Sequence, residues 1–137
     1  MKHDEIEQEI EAKGLTAPRV TPADIEGNIA EELYFTAADG IVGKGGQVAS
    51  NSPARLLTFC TLILRNGFTV TGESACASPE NFDAELGRKI ARQNAIAKVW
   101  PLMGYALRER LFLVRSWFGP RSDGYALRER LFLREEK

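Results

Sequence analysis

An α+β domain is the fold class that three features of this 137-residue chain predict. Two N-terminal segments carry helix signals, a central Asn-Gly separates two runs rich in strand formers, and a long amphipathic stretch follows. The expected architecture is two N-terminal helices, a central antiparallel β-hairpin extended by a third strand, and a long kinked C-terminal helical segment. The length suits one domain, placed at residues 1–113, with residues 114–137 as a C-terminal extension.

The first helix is expected from Asp4 to Lys13, with Ile6 and Ile10 one turn apart and Gly14 ending it. The second starts at Thr21-Pro22-Ala23-Asp24. Thr21 suits the N-cap, Pro22 the first helical position, and Asp24 the place that Glu or Gln takes in a capping box. Ile25, Ile29 and Leu33 then share a helical face, so this helix is expected to run to about Tyr34. Asp39 to Pro53 reads as a loop with glycines at 40, 43, 45 and 46 around Lys44. The phosphate-cradling spacing G-x-x-x-x-G-K-[ST] is absent, so the loop reads as a flexible surface loop or a lid over a site.

Arg55–Arg65 and Phe68–Cys76 flank Asn66-Gly67, which suits a two-residue hairpin turn with Arg65 opposite Phe68. That register groups Leu57, Phe59, Ile63, Phe68, Val70 and Cys76 on a core face. It puts Cys60, Leu62, Leu64, Thr69, Thr71 and Glu73 on the other, with Glu73 across from Cys60 and the two cysteines on opposite sides. The second face is apolar enough for a subunit interface, a pocket wall or a second layer of helices, and a dimer or higher homo-oligomer is expected.

From Ser78 to Leu113 the chain reads as the helical element around which the rest is organised. Ser78 is its expected N-cap and Pro79 its first position. Phe82, Leu86, Ile90, Ala97, Trp100, Leu107 and Leu111 form the expected apolar stripe. Pro101 is expected to end or kink the helix at Trp100. Beyond it, GYALRERLFL at 104–113 recurs letter for letter at 124–133. Identity of this kind marks a duplication rather than a structural repeat; the second copy either docks as an amphipathic helix or forms a tail.

Composition excludes several classes. Hydrophobic content of 44% and charged content of 27% are those of a soluble globular protein, and no apolar run is long enough for a membrane span. Cys60 and Cys76 offer no metal-ligand spacing, and neither a metal nor a cofactor is expected. The sole histidine, His3, lies at the N-terminus, so no nucleophile–base pair can be assembled and the chain reads as a binder rather than an enzyme. A net charge of −1 hides a polarity: residues 1–33 hold nine acids against three bases, and residues 88–134 hold eleven bases against three acids. The basic half suits an anionic partner, or the acidic helix neutralises it. The candidate ligand-binding residues are Phe82, Asn94, Lys98, Tyr105, Arg108 and Arg110. Aromatic rings can stack on a base, an Asn amide can both donate to and accept from an adenine edge, and guanidinium groups suit phosphate. Asn94, Lys98, Tyr105 and Arg108 border the apolar stripe, where a pocket between the helix and a neighbour is expected.

The compound pattern NFD-x-E-x-G-x-x-I-A from Asn81, then Asn94-Ala95, then Lys98-x-Trp100-Pro101-L-x-Gly104-Tyr105, resembles the gene 49/gene 66 family of small tailed-phage proteins. TPADIE and YFTAADG upstream belong to the same resemblance, which covers about Leu15 to Leu111. It implies a phage or prophage origin and action in the bacterial host cytoplasm. More loosely, the outline of hairpin, long helix with an internal asparagine and C-terminal arginines resembles phage proteins that defeat Thoeris defence by sequestering cyclic ADP-ribose-type signals. That resemblance implies that Phe82 and Asn94 hold a base and that Arg108 and Arg110 hold phosphates. The expected function is therefore sequestration of a small cyclic nucleotide immune signal without catalysis. The alternative is a protein–protein inhibitor or adaptor that uses the apolar sheet face or the basic helix; nucleic acid and membrane are not expected partners.

Overall fold

The computed structural model describes residues 3–118 and has the expected α+β arrangement, with a three-stranded antiparallel sheet and a long C-terminal helix. Met1–Pro101 and Leu102–Lys137 form two compact units. The second copy of the duplicated segment, at 124–133, lies outside the described residues.

In the first unit, helix α1 spans His3–Ala12 and closes as expected at Gly14, whose φ is +65°. The N–H groups of Gly14 and Leu15 donate to the carbonyls of Glu11 and Ile10, the paired bonds of a Schellman cap. A half-buried ion pair of 2.8 Å joins Glu7 to Arg19 in the segment that follows. Helix α2, Pro22–Gly27, has the expected capping box: Asp24 N–H donates to Thr21 Oγ1, and Thr21 N–H to Asp24 Oδ2.

The second helix does not reach Tyr34. It stops at Asn28, and Ile29–Thr36 form strand β1. The reason is geometric: residues four apart share a face in a helix and in a strand alike, so Ile25, Ile29 and Leu33 fit both periods. The edge of strand β2 settles the choice. The expected glycine-rich loop also begins as a helix. Thr36 and Asp39 repeat the reciprocal capping box, and α3 runs Ala37–Gly43 before the chain turns through Gly45 (φ +91°) to a short 3₁₀ turn at Pro53–Leu56.

Strands β2 (Leu57–Leu64) and β3 (Thr69–Ala75) form the expected hairpin, but its register differs by one residue. Leu64 N–H donates to Phe68 O and Gly67 N–H to Leu64 O, so Arg65-Asn66-Gly67 is a three-residue loop with Gly67 at φ +87°. Cys60 therefore faces Gly72, and Glu73 faces Phe59. A one-residue shift exchanges faces. The core side is Thr58, Cys60, Leu62 and Leu64 with Val70, all buried, rather than the Leu57, Phe59 and Ile63 side, which is only half-buried. Cys76, whose N–H donates to Leu56 O, has the same parity as Cys60, not the opposite one; both thiols are free. Four positions of strand keep the two about 13 Å apart along the sheet. On the uncovered side Leu33 and Phe35 of β1 are exposed, and the rings of Phe35 and Phe59 stack with centroids 5.3 Å apart.

The long helix α4 spans Ala84–Phe118, with Pro101 inside it rather than at its end. Its cap is Asp83, whose Oδ1 accepts from Leu86 N–H, and not Ser78; Pro79–Asn81 form a separate 3₁₀ turn. The face it buries also differs from the expected stripe. Ala91, Ala95 and Val99 are wholly buried and Gly87 is buried with them, while Leu86 (53%) and Ile90 (40%) are exposed. The cause is the strand beneath. A Cβ on Gly72 would stand 2.2 Å from Ala91 O and 2.3 Å from Ala95 N, and one on Gly87 would stand 3.1 Å from Thr58 Oγ1. The helix lies so close to the sheet that only small residues fit between them.

Candidate functional site

Polar side chains of α4 within the first unit fasten the helix to the sheet. Arg92 reaches Glu26 of α2 at 2.6 Å and Glu32 of β1 at 2.7 Å, joining three elements. The guanidinium holds the Glu32 carboxyl below the usual carboxylate range, chiefly through its hydrogen bond. Glu32 also accepts from Tyr34 OH at 3.2 Å. Tyr34 is paired across the strands with Cys60. Burial is the main cause that pushes the Tyr34 phenol up to about 12 and raises the Cys60 thiol as well.

Tyr34 thus sets an alkaline limit. Its folded pKa exceeds the unfolded value of about 10, so its contribution to stability is complete below about pH 10 and is lost as pH rises towards 12. Cys60, raised in the same sense, acts in the same direction. Melting curves from pH 8 to 12 are expected to show a steeper alkaline loss for the wild type than for Tyr34→Phe. Parallel curves for the two proteins would contradict the assignment.

Asn94 and Lys98, two of the candidate ligand residues, also face β3. Asn94 Nδ2 donates to Glu73 O at 2.7 Å, and Lys98 Nζ donates to Thr71 O. Because Phe68 pairs inward with Leu64, Thr71 and Glu73 turn their backbone groups to the free edge of the sheet. The two side chains therefore cap the carbonyls of an edge strand, a place where unpaired groups invite a further strand. The amide oxygen of Asn94 accepts no hydrogen bond among the described residues, and Lys98 also stands 4.0 Å from the Glu73 carboxylate. Phe82 ends the 3₁₀ turn before α4, half-buried, with its N–H donating to Pro79 O.

Tyr105, Arg108 and Arg110 belong to the second unit. Tyr105 is 71% exposed and Arg108 is exposed on the next turn of the same helical face, whereas Arg110 lies on another side and is half-buried. No ion pair involving Arg108 forms among the described residues. The expected residues thus fall into two sets, Phe82, Asn94 and Lys98 in one unit and Tyr105, Arg108 and Arg110 in the other. What the sequence reading missed is Arg92 with its partners Glu26 and Glu32, because the acids lie 66 and 60 residues away.

Among the described residues no helix is long and apolar enough to cross a membrane. No curated protein and no solved structure matches the chain. A family model does match, over residues 20–111, most of the chain and all of the sheet. With that span covered, the chain belongs to the Phage protein (N4 Gp49/phage Sf6 gene 66) family.

Proposed function

We propose that this phage-family protein is a non-enzymatic binder that sequesters a small cyclic nucleotide signal and so blunts bacterial antiphage defence in the host cytoplasm. The observation that carries the reading is the pair Tyr105–Arg108: an exposed aromatic ring and an exposed guanidinium one helical turn apart. A ring offers a stacking surface to any base, and an uncommitted guanidinium offers a bidentate grip on phosphate. The looser resemblance to Thoeris-defeating proteins supports the same ligand class. On this reading Arg110, on another side of the helix, adds only to the positive charge of this segment, while Phe82, Asn94 and Lys98 form a second contact set to be tested separately. Asn94 retains its amide oxygen as an acceptor for a base edge.

Titration calorimetry with a panel of cyclic nucleotides and cyclic ADP-ribose isomers tests it. Binding is expected in the micromolar range or tighter. Tyr105→Ala and Arg108→Ala are each expected to weaken it about tenfold, since one stacked base or charged hydrogen bond contributes about 1–3 kcal/mol. Folded protein that binds none of the panel at micromolar concentration would sink the proposal.

A second reading rests on the exposed Leu33 and the stacked Phe35–Phe59 pair on the uncovered side of the sheet. An apolar surface of that kind suits a protein partner, making the chain an inhibitor or adaptor. Capture of a host protein that Phe35→Asp abolishes and Arg108→Ala leaves intact would favour it over nucleotide binding.

A further inference from the structure

One exposed side of α4 beyond Pro101 has a pattern that the Tyr105–Arg108 pair only begins. Seven residues further on, Phe112 and Arg115 repeat it, again an aromatic residue followed by arginine three positions later. All four side chains are exposed, with Tyr105 at 71% and Phe112 at 58%, while Val114 on the opposite side of the helix is buried. Neither arginine forms an ion pair among the described residues. The spacing 105, 108, 112, 115 is that of the alternating three- and four-residue steps of a coiled-coil seam. It places one unbroken line about 15 Å long on the helix surface.

This seam is self-complementary in one direction only. Laid antiparallel on a second copy about a two-fold axis level with position 110, Tyr105 meets the other copy's residue 115 and Arg108 meets its residue 112. Each guanidinium then lies over an aromatic ring, in four contacts of the cation–π kind. Laid parallel in register, each arginine meets the same arginine, and two like charges in a closing seam repel. We infer that α4 pairs antiparallel with α4 of a second copy through Tyr105, Arg108, Phe112 and Arg115, forming an isologous dimer. Resting on the nucleotide reading proposed above, the pairing also completes that site: a guanidinium stacked on a ring keeps its in-plane N–H groups for phosphate, held in place by the other copy.

Multi-angle light scattering of the full chain, under reducing conditions, tests the pairing without reference to any nucleotide. The wild type is expected at twice the chain mass of 15.2 kDa. Arg108→Glu with Arg115→Glu faces each aromatic ring with an anion and is expected to halve the mass. Tyr105→Glu with Phe112→Glu faces each arginine with a carboxylate in the antiparallel seam only. That variant is expected to remain dimeric at low salt and to dissociate at high salt, where exposed ion pairs are screened. Since all four positions are exposed, circular dichroism is expected to show unchanged helix in both variants. A monomeric wild type, an oligomer indifferent to both double substitutions, or loss of the dimer in both at low salt would each overturn the inference. A dimer that behaves as expected but binds no nucleotide would remove the nucleotide reading and leave the pairing standing.

Discussion

Gly72→Val is expected to cost about 3 kcal/mol or more, enough to remove much of the stability of a domain this small. Even alanine at this position brings its Cβ within 2.2 Å of Ala91 O and 2.3 Å of Ala95 N. The obstructing atoms are helix backbone, which cannot rotate aside as a flexible side chain would. Either the helix lifts from the sheet, uncovering Cys60, Leu62 and Val99, or the strand bends away from its ladder. Urea unfolding measures the loss, and Gly72→Ala is expected to show the same effect in smaller degree. A midpoint for Gly72→Ala equal to that of the wild type would mean that helix and strand do not approach this closely.

Leu62→Ala is the second large effect, expected at about 3 kcal/mol because the side chain is wholly buried and its loss leaves a cavity beneath α4. Its neighbour gives the informative contrast. Ile63 lies on the half-buried side, so Ile63→Ala is expected to cost only about 1 kcal/mol. The two-residue turn would reverse that order, placing Ile63 in the core and Leu62 opposite it. Chemical denaturation of the two single variants therefore reads the hairpin register directly. Equal losses, or a larger loss at Ile63, would contradict the three-residue loop.

Local chemistry was the legible part of the sequence. Thr21 with Asp24 and Gly14 after α1 act through partners within a few residues, so their hydrogen bonds could be anticipated. Register was harder, because Asn66-Gly67 suits a two-residue turn and, equally, a three-residue loop with glycine in the left-handed position; the same dipeptide predicts opposite core faces. The length of α2 failed on a shared period of four. The buried face of α4 failed because apolar periodicity gives weight to large residues, whereas this contact is built from Gly87, Ala91 and Ala95. A signal was present: a glycine inside a strand, Gly72, marks close approach of another backbone. In the candidate site, the positions of Tyr105 and Arg108 on one side of a helix follow from their spacing alone. The engagement of Asn94 and Lys98 with β3 does not, since it depends on which strand forms the sheet edge.

The small-residue contact between α4 and the sheet has a mechanical consequence. Gly87, Ala91 and Ala95 recur at four-residue intervals and are nearly alike in size, so they fix the depth at which the helix rests while barely marking its position along the axis. A slide of one turn, about 5.4 Å, would offer Gly72 an almost identical surface. What indexes the helix is its polar set: Arg92 between Glu26 and Glu32, Asn94 on Glu73 O and Lys98 on Thr71 O. These groups lie too near the surface to contribute much stability. Their effect is to act as detents on a smooth rail, selecting one stop among several that packing alone would leave nearly equivalent.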